Sequence, residues 1–169
     1  MKLNKTGMKW MRVLHISAIS VWFGSVVCIL GLAAICFFQL TENEFLIIAP
    51  LVPELYQKIV MPAAIFAVIQ GIIYGIFSNW GFFKYKWVLF KWIFVLLITL
   101  STGFGGIGQM FSILAKVEET HFVGGFADGG LVLLFISLQI LFMLIMIVLS
   151  VFRQKSFPKD SGFISKASV

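Results

Sequence analysis

The sequence predicts an all-α, polytopic membrane protein: a four-helix bundle with both termini in the cytoplasm. Three observations carry this. First, 60% of the 169 residues are hydrophobic and only 12% are charged, with a mean hydropathy of +1.03. A water-soluble domain has roughly 45–50% apolar and about 25% charged residues. Second, four apolar runs each reach the ~20 residues a helix needs to cross a hydrocarbon core of roughly 30 Å. Third, basic and acidic residues segregate to alternate loops. The composition excludes a soluble globular protein, a disordered chain and a nucleic-acid-binding arm, and the length allows a single membrane domain, residues 1–169.

The expected spans run from about Val13 to Phe38, Ile59 to Phe77, Trp87 to Ile113 and Leu131 to Phe152. All are too uniformly apolar for barrel strands, which alternate a lumen face with a lipid face. In lipid the backbone must satisfy its own hydrogen bonds, so these segments are helices. The run after Arg12 is too long for a signal-peptide core and lacks a small-residue cleavage site, so it is expected to stay as the first span.

Orientation follows from the charges. Lys2, Lys5, Lys9 and Arg12, then Lys84, Lys86 and Lys91, then Arg153, Lys155, Lys159 and Lys166 supply eleven of the thirteen basic residues. Six of the seven acids lie by the other two loops. The positive-inside rule places the termini and the middle loop in the cytoplasm. The net charge of +6 then reflects topology and attraction to anionic lipid heads. The two outer loops are expected at Gln39–Lys58, with an interfacial Phe45–Pro50 stretch bracketed by Pro50 and Pro53, and at Leu114–Gly130.

Helical spacing sorts each span into faces. On the first, Ser17, Ser20, Gly24, Cys28 and Gly31 form a stripe of small residues, suited to close helix contact with another subunit or another helix of the bundle. His15, Ile19, Trp22 and Val26 lie nearly opposite. A histidine turned to lipid is costly, so the His15 face is expected inside. Gln70 and Tyr74 share a face of the second span with Ala63 and Ala67, and Gly71 and Gly75 form a Gly-x-x-x-Gly pair. Lys91, Ile98, Thr102, Gly105 and Gln109 line one side of the third, and Gln139, Met143, Met146 and Ser150 one side of the fourth.

Few of these residues carry chemistry. The first and third spans run in the same direction, and His15 and Lys91 each lie near a start, so the pair shares one depth. Neutral imidazole is a strong ligand for haem iron. The lysine could pair with a propionate, act as a second ligand or carry a proton. The structural alternative is a Lys91 that snorkels to the lipid heads and a His15 bonded to a backbone carbonyl. Glu118-x-x-His121 has the i, i+3 spacing of di-iron bundles but occurs once, where a solvated loop is expected. Met143 and Met146 could offer thioethers, though methionine is foremost packing material. Gly103–Gly108 lacks the strand-turn-helix setting of a phosphate loop. Cys28 and Cys36 share one apolar run and form no disulfide framework or Cys-x-x-Cys motif.

The stretch His15-Ile-Ser-Ala-Ile-Ser-Val-Trp22-Phe-Gly24 resembles the opening helix of a superfamily of small bacterial membrane proteins. It includes HemJ-type protoporphyrinogen oxidases, CopD copper-resistance proteins and an uncharacterised group of four-helix proteins. Met61-Pro62-Ala-Ala at the start of the second span, Gly71 within it and Trp87-Val-Leu-Phe-Lys91 opening the third extend the similarity over residues 8 to 100. The resemblance implies a b-type haem in a bacterial cytoplasmic membrane. His15 would be its axial metal ligand, Lys91 the residue of binding and activity, and Trp22 of the same motif would lie beside the cofactor. The sequence lacks the Pro-Arg pair, the second histidine and the Asn-Glu-x-Pro motif of the oxidases. The similarity therefore implies haem or porphyrin handling, with a HemJ-like porphyrinogen oxidase, Lys91 its catalytic residue, as the enzymatic form of it despite the missing motifs. Two other functions fit the scaffold. One is a CopD-like transporter of a metal ion or small solute, using Gln70, Thr102, Gln109, Gln139 and the two methionines. The other is a structural subunit or homo-oligomer docking through Ser17, Ser20, Gly24, Cys28 and Gly31. No carboxylate lies inside any expected span, which argues against an ion pump.

Overall fold

A computed structural model describes residues 5–77, 86–120 and 126–152. The chain is built from helices: α1 (Lys5–Phe38), α2 (Glu42–Ile48), α3 (Leu51–Leu55), α4 (Met61–Phe77), α5 (Lys86–Leu100), α6 (Ile107–Thr120) and α7 (Phe126–Phe152). Wide π turns at Tyr56–Val60 and Ser101–Gly106 weld α3 to α4 and α5 to α6. Four stretches are long and apolar enough to cross a membrane: Thr6–Phe38, Glu42–Ile73, Val88–Glu119 and Gly129–Ser150.

Large apolar side chains cover the outside. Ile16, Val21, Ile65, Leu96, Phe104 and Leu134 are each at least half exposed. A soluble protein could not present so continuous an apolar surface, whereas acyl chains solvate it without cost. With no hydrophobic drive between helices in lipid, close packing decides which faces meet. On α1 the buried residues are Ala18, Trp22, Val26, Ile29, Ala33 and Cys36. Their spacing of three or four residues is the seam along which helices cross at shallow angles. That seam packs against α4 and α7, and α7 in turn packs against α5, the second π turn and α6. Among the described residues α4 and α5 share no extended contact, because each is held by its other neighbours.

The expected outer loop at Gln39–Lys58 is a correction. It holds α2, α3 and the first π turn. At the start of α2, the Thr41 backbone N–H and hydroxyl donate to the Glu44 carboxylate at 2.9 and 2.7 Å, a capping box that relieves the unpaired N–H groups of the first turn. Pro50 and Pro53 do not end the helical path. They fall in and just before the first turn of α3, where a missing N–H costs nothing. Phe45, Ala49, Val52 and Tyr56 are buried, and α3 packs against α1 and α6. This segment caps the end of the bundle away from the termini. The exposed Glu54–Lys58 ion pair, 2.6 Å, sits where the polar part of this stretch gives way to the apolar run from Ile59.

The second outer loop also shrinks. Helix continues through Thr120 and resumes at Phe126, because Ile107, Met110, Ile113 and Val117 keep a buried stripe running along α6. At the start of α7, Gly129 lies so close to the Phe37 ring that any side chain there would collide with it. Gly71 of the Gly-x-x-x-Gly pair makes no close contact within the chain: nothing lies within 4 Å of a Cβ built there.

Candidate functional site

The face of α1 that carries His15 turns toward the bundle, as the burial of Trp22 and Val26 on it requires. Ser17, Ser20, Gly24, Cys28 and Gly31 are all exposed, and a Cβ at Gly24 or Gly31 would meet nothing within 4 Å. Ser20 satisfies its hydroxyl on the Ile16 carbonyl at 2.9 Å, the back-bond by which a serine on a helix can face lipid. Beside it, a groove of about 290 Å³ lined by Leu14, Ser17, Ala18, Val21, Ala63 and Phe66 opens sideways between α1 and α4.

On the inner face, α1 packs along α4. His15 on α1 is half-buried and lies within interaction range of Gln70 on α4 and of the Lys91 ammonium on α5. Gln70 is the side chain nearest in hydrogen-bonding terms to His15, and Lys91 acts on it through its charge. Gln70 lies one turn beyond the buried Ala67 on α4, which fixes its direction into the bundle.

Hydrogen bonding at this place is incomplete. His15 Nδ1, Gln70 Oε1 and Trp22 Nε1 are all buried and none has a hydrogen-bond partner. Trp22 is only 6% exposed and Gln70 only 5%. An unpaired buried polar group costs about 1–3 kcal/mol, and native proteins leave few of them. Such groups cluster where a structure awaits something else. His15 is thus not capped by a main-chain oxygen at Nδ1, in contrast to the structural alternative for it.

A second polar cluster sits near the middle of the bundle and is its opposite in character. The Tyr56 hydroxyl donates to Thr102 Oγ1 at 3.0 Å, and the Thr102 hydroxyl donates to Gln139 Oε1 at 3.1 Å. Gln139 Nε2 closes the ring by donating to Tyr56 Oη at 3.0 Å. Each group gives one hydrogen bond and accepts one. The ring joins both π turns to α7, and beside it the Ser101 hydroxyl donates to the Phe135 carbonyl at 3.4 Å. Thr102 and Gln139 were expected on inward faces. Tyr56 was not singled out, because it fell in a segment read as loop. The Thr41/Glu44 capping box is the signal that marks that segment as helical.

The remaining candidates do not assemble. Among the described residues no three His, Cys, Asp or Glu side chains come together as a metal site. Glu118 is exposed near the end of α6, and His121 lies outside the described residues. Met143 is buried and Met146 half-buried in the apolar core. Cys28 and Cys36 are both free thiols. The glycines from Gly103 to Gly106 form a π turn inside a span, not a phosphate loop. Tyr74 lies in α4, but its side chain is outside the described residues. No family model, curated protein or solved structure matches this chain, so the reading of the site rests on its own geometry.

Proposed function

We propose that this chain is a haem-binding protein of a bacterial cytoplasmic membrane, with both termini and the His15–Lys91 end of the bundle facing the cytoplasm. The observation that carries the reading is the buried, unpaired Nδ1 of His15 on the inward face of α1, with the buried Gln70 side chain of α4 beside the imidazole. An orphaned buried imidazole nitrogen fits a metal ligand, since ligation supplies the partner that the fold withholds. His15 would be the axial ligand of a b-type haem. Gln70 would orient the imidazole, as partners of ligating histidines do. Lys91 lies at the same depth and would set its Nζ against a propionate carboxylate, a charge-assisted pairing that is strong out of water. Trp22, two turns along the same face, would bound the site on its deep side. Bound there, haem would supply one-electron redox chemistry or a haem group for delivery.

The charge distribution supports the orientation, since eleven of thirteen basic residues fall on one side. The decisive experiment is an absorption spectrum of the purified protein reconstituted with haem. A Soret band is expected, and it should disappear or shift on His15→Ala. A wild-type spectrum in that variant, or no band at all, would remove the proposal.

A further inference from the structure

The second π turn is more than an irregularity. The Ile107 backbone N–H reaches back to the Thr102 carbonyl, five residues away, so this segment holds one residue more than an α-helical path would need. Gly108 makes the register possible. A Cβ there would run into the Gly103 carbonyl oxygen, and at Gly105 it would run into the Phe135 ring. The Tyr56–Thr102–Gln139 ring grips the turn from the other two spans.

The two halves that the turn joins are anchored unequally. In α6, Ile107, Met110, Ile113 and Val117 are buried, whereas in α5 only Ile98 is, among the described residues. Removing the extra residue from the turn would rotate one half against the other by about 100° and shift it by ~1.5 Å. The less buried half is α5, where the Phe94 ring meets that of Phe142 on α7 at 5.6 Å. That half carries Lys91.

We infer that the Ser101–Gly106 turn is a two-register joint, and that the polar ring holds it in the register that aims Lys91 at His15. The inference deepens the haem reading, because it makes the approach of Lys91 to the cofactor site adjustable from the middle of the bundle. The joint itself does not depend on haem, so its test uses ligand-free protein.

Spin labels at Ile93→Cys on α5 and Phe111→Cys on α6, both lipid-facing, in a Cys28→Ser, Cys36→Ser background, report the rotation by electron double-resonance distances. The parent should give one narrow distance. Gly108→Ala should move that distance by several ångström, and Gln139→Leu should add a second population at the moved value. Wild-type distances in both variants, with helicity intact, would overturn the inference. Should Gln139→Leu fail to fold, Tyr56→Phe, which removes one oxygen, replaces it and must give the same second population. A Soret band with unmoved distances would reject the joint and keep the haem site; moved distances without a Soret band would do the reverse.

Discussion

Gln139 Nε2 donates to Tyr56 Oη at 3.0 Å, which ties the last span to the point where the capping segment turns into the second. Both side chains are buried, and every polar group of the ring they share with Thr102 is satisfied. Tyr56→Phe should therefore cost about 1–2 kcal/mol of stability, the usual worth of a side-chain hydrogen bond between membrane helices. Gln139→Leu should cost more, about 2–3 kcal/mol, because it removes both the acceptor of the Thr102 hydroxyl and the donor to Tyr56 Oη. Unfolding in mixed micelles measures both, and equal stability of all three proteins would show that the ring contributes nothing.

The glycines divide by what surrounds them. Gly105→Ala should destabilise by about 1–3 kcal/mol, since the new methyl meets the Phe135 ring within a packed layer. Gly24→Ala, pointing into open space, should leave monomer stability within about 0.5 kcal/mol or raise it slightly through better helix propensity. The pair is best compared in one detergent by thermal melting. A loss at Gly24 as large as that at Gly105 would mean that the exposed stripe is covered in solution.

At the candidate site, charge should matter less than ligation. His15→Ala should abolish the haem spectrum. Lys91→Ala should weaken haem binding by about tenfold, the equivalent of ~1.4 kcal/mol, and Lys91→Arg should recover most of it because the positive charge is kept. Titration of each purified variant with haem gives the comparison. Binding unaffected by Lys91→Ala would place the propionates elsewhere.

Trp22 offers an unusual expectation. Its indole N–H is buried and unpaired, so Trp22→Phe removes an unsatisfied donor while retaining an aromatic ring. The ligand-free protein should be as stable as the parent or up to about 1 kcal/mol more stable. A drop of several kcal/mol, read from the same micellar unfolding, would show that the indole packs in a way that phenylalanine cannot replace.

The spans were legible in the sequence because lipid imposes one rule on the whole length of a helix, and runs such as Leu131–Phe152 obey it without exception. The inward face of α1 was legible as well: Trp22 and Val26 are buried and Gly24 and Gly31 exposed. Helix phase likewise put Gln70 on an inward face, and it is buried. What stayed hidden depends on contacts between distant segments. Pro50 and Pro53 suggest a break, yet prolines in and just before a first turn permit a helix, and only packing on α1 and α6 decides the matter. The π turns leave no periodic trace, since each adds a single residue to an otherwise regular pattern. Nothing in the local pattern marks Tyr56, which gains its role only where the fold sets it against Thr102 and Gln139.

The α2–α3 segment gives the bundle two unlike mouths. With Phe45, Ala49 and Val52 wedged into it and Phe37 against Phe45 at 5.6 Å, the end remote from the termini is stoppered by apolar side chains. A solute following the helix axis would meet a dead end there unless the stopper lifted. Under the haem proposal, a guest bound for His15 would have to arrive from the opposite end of the bundle or sideways from the bilayer.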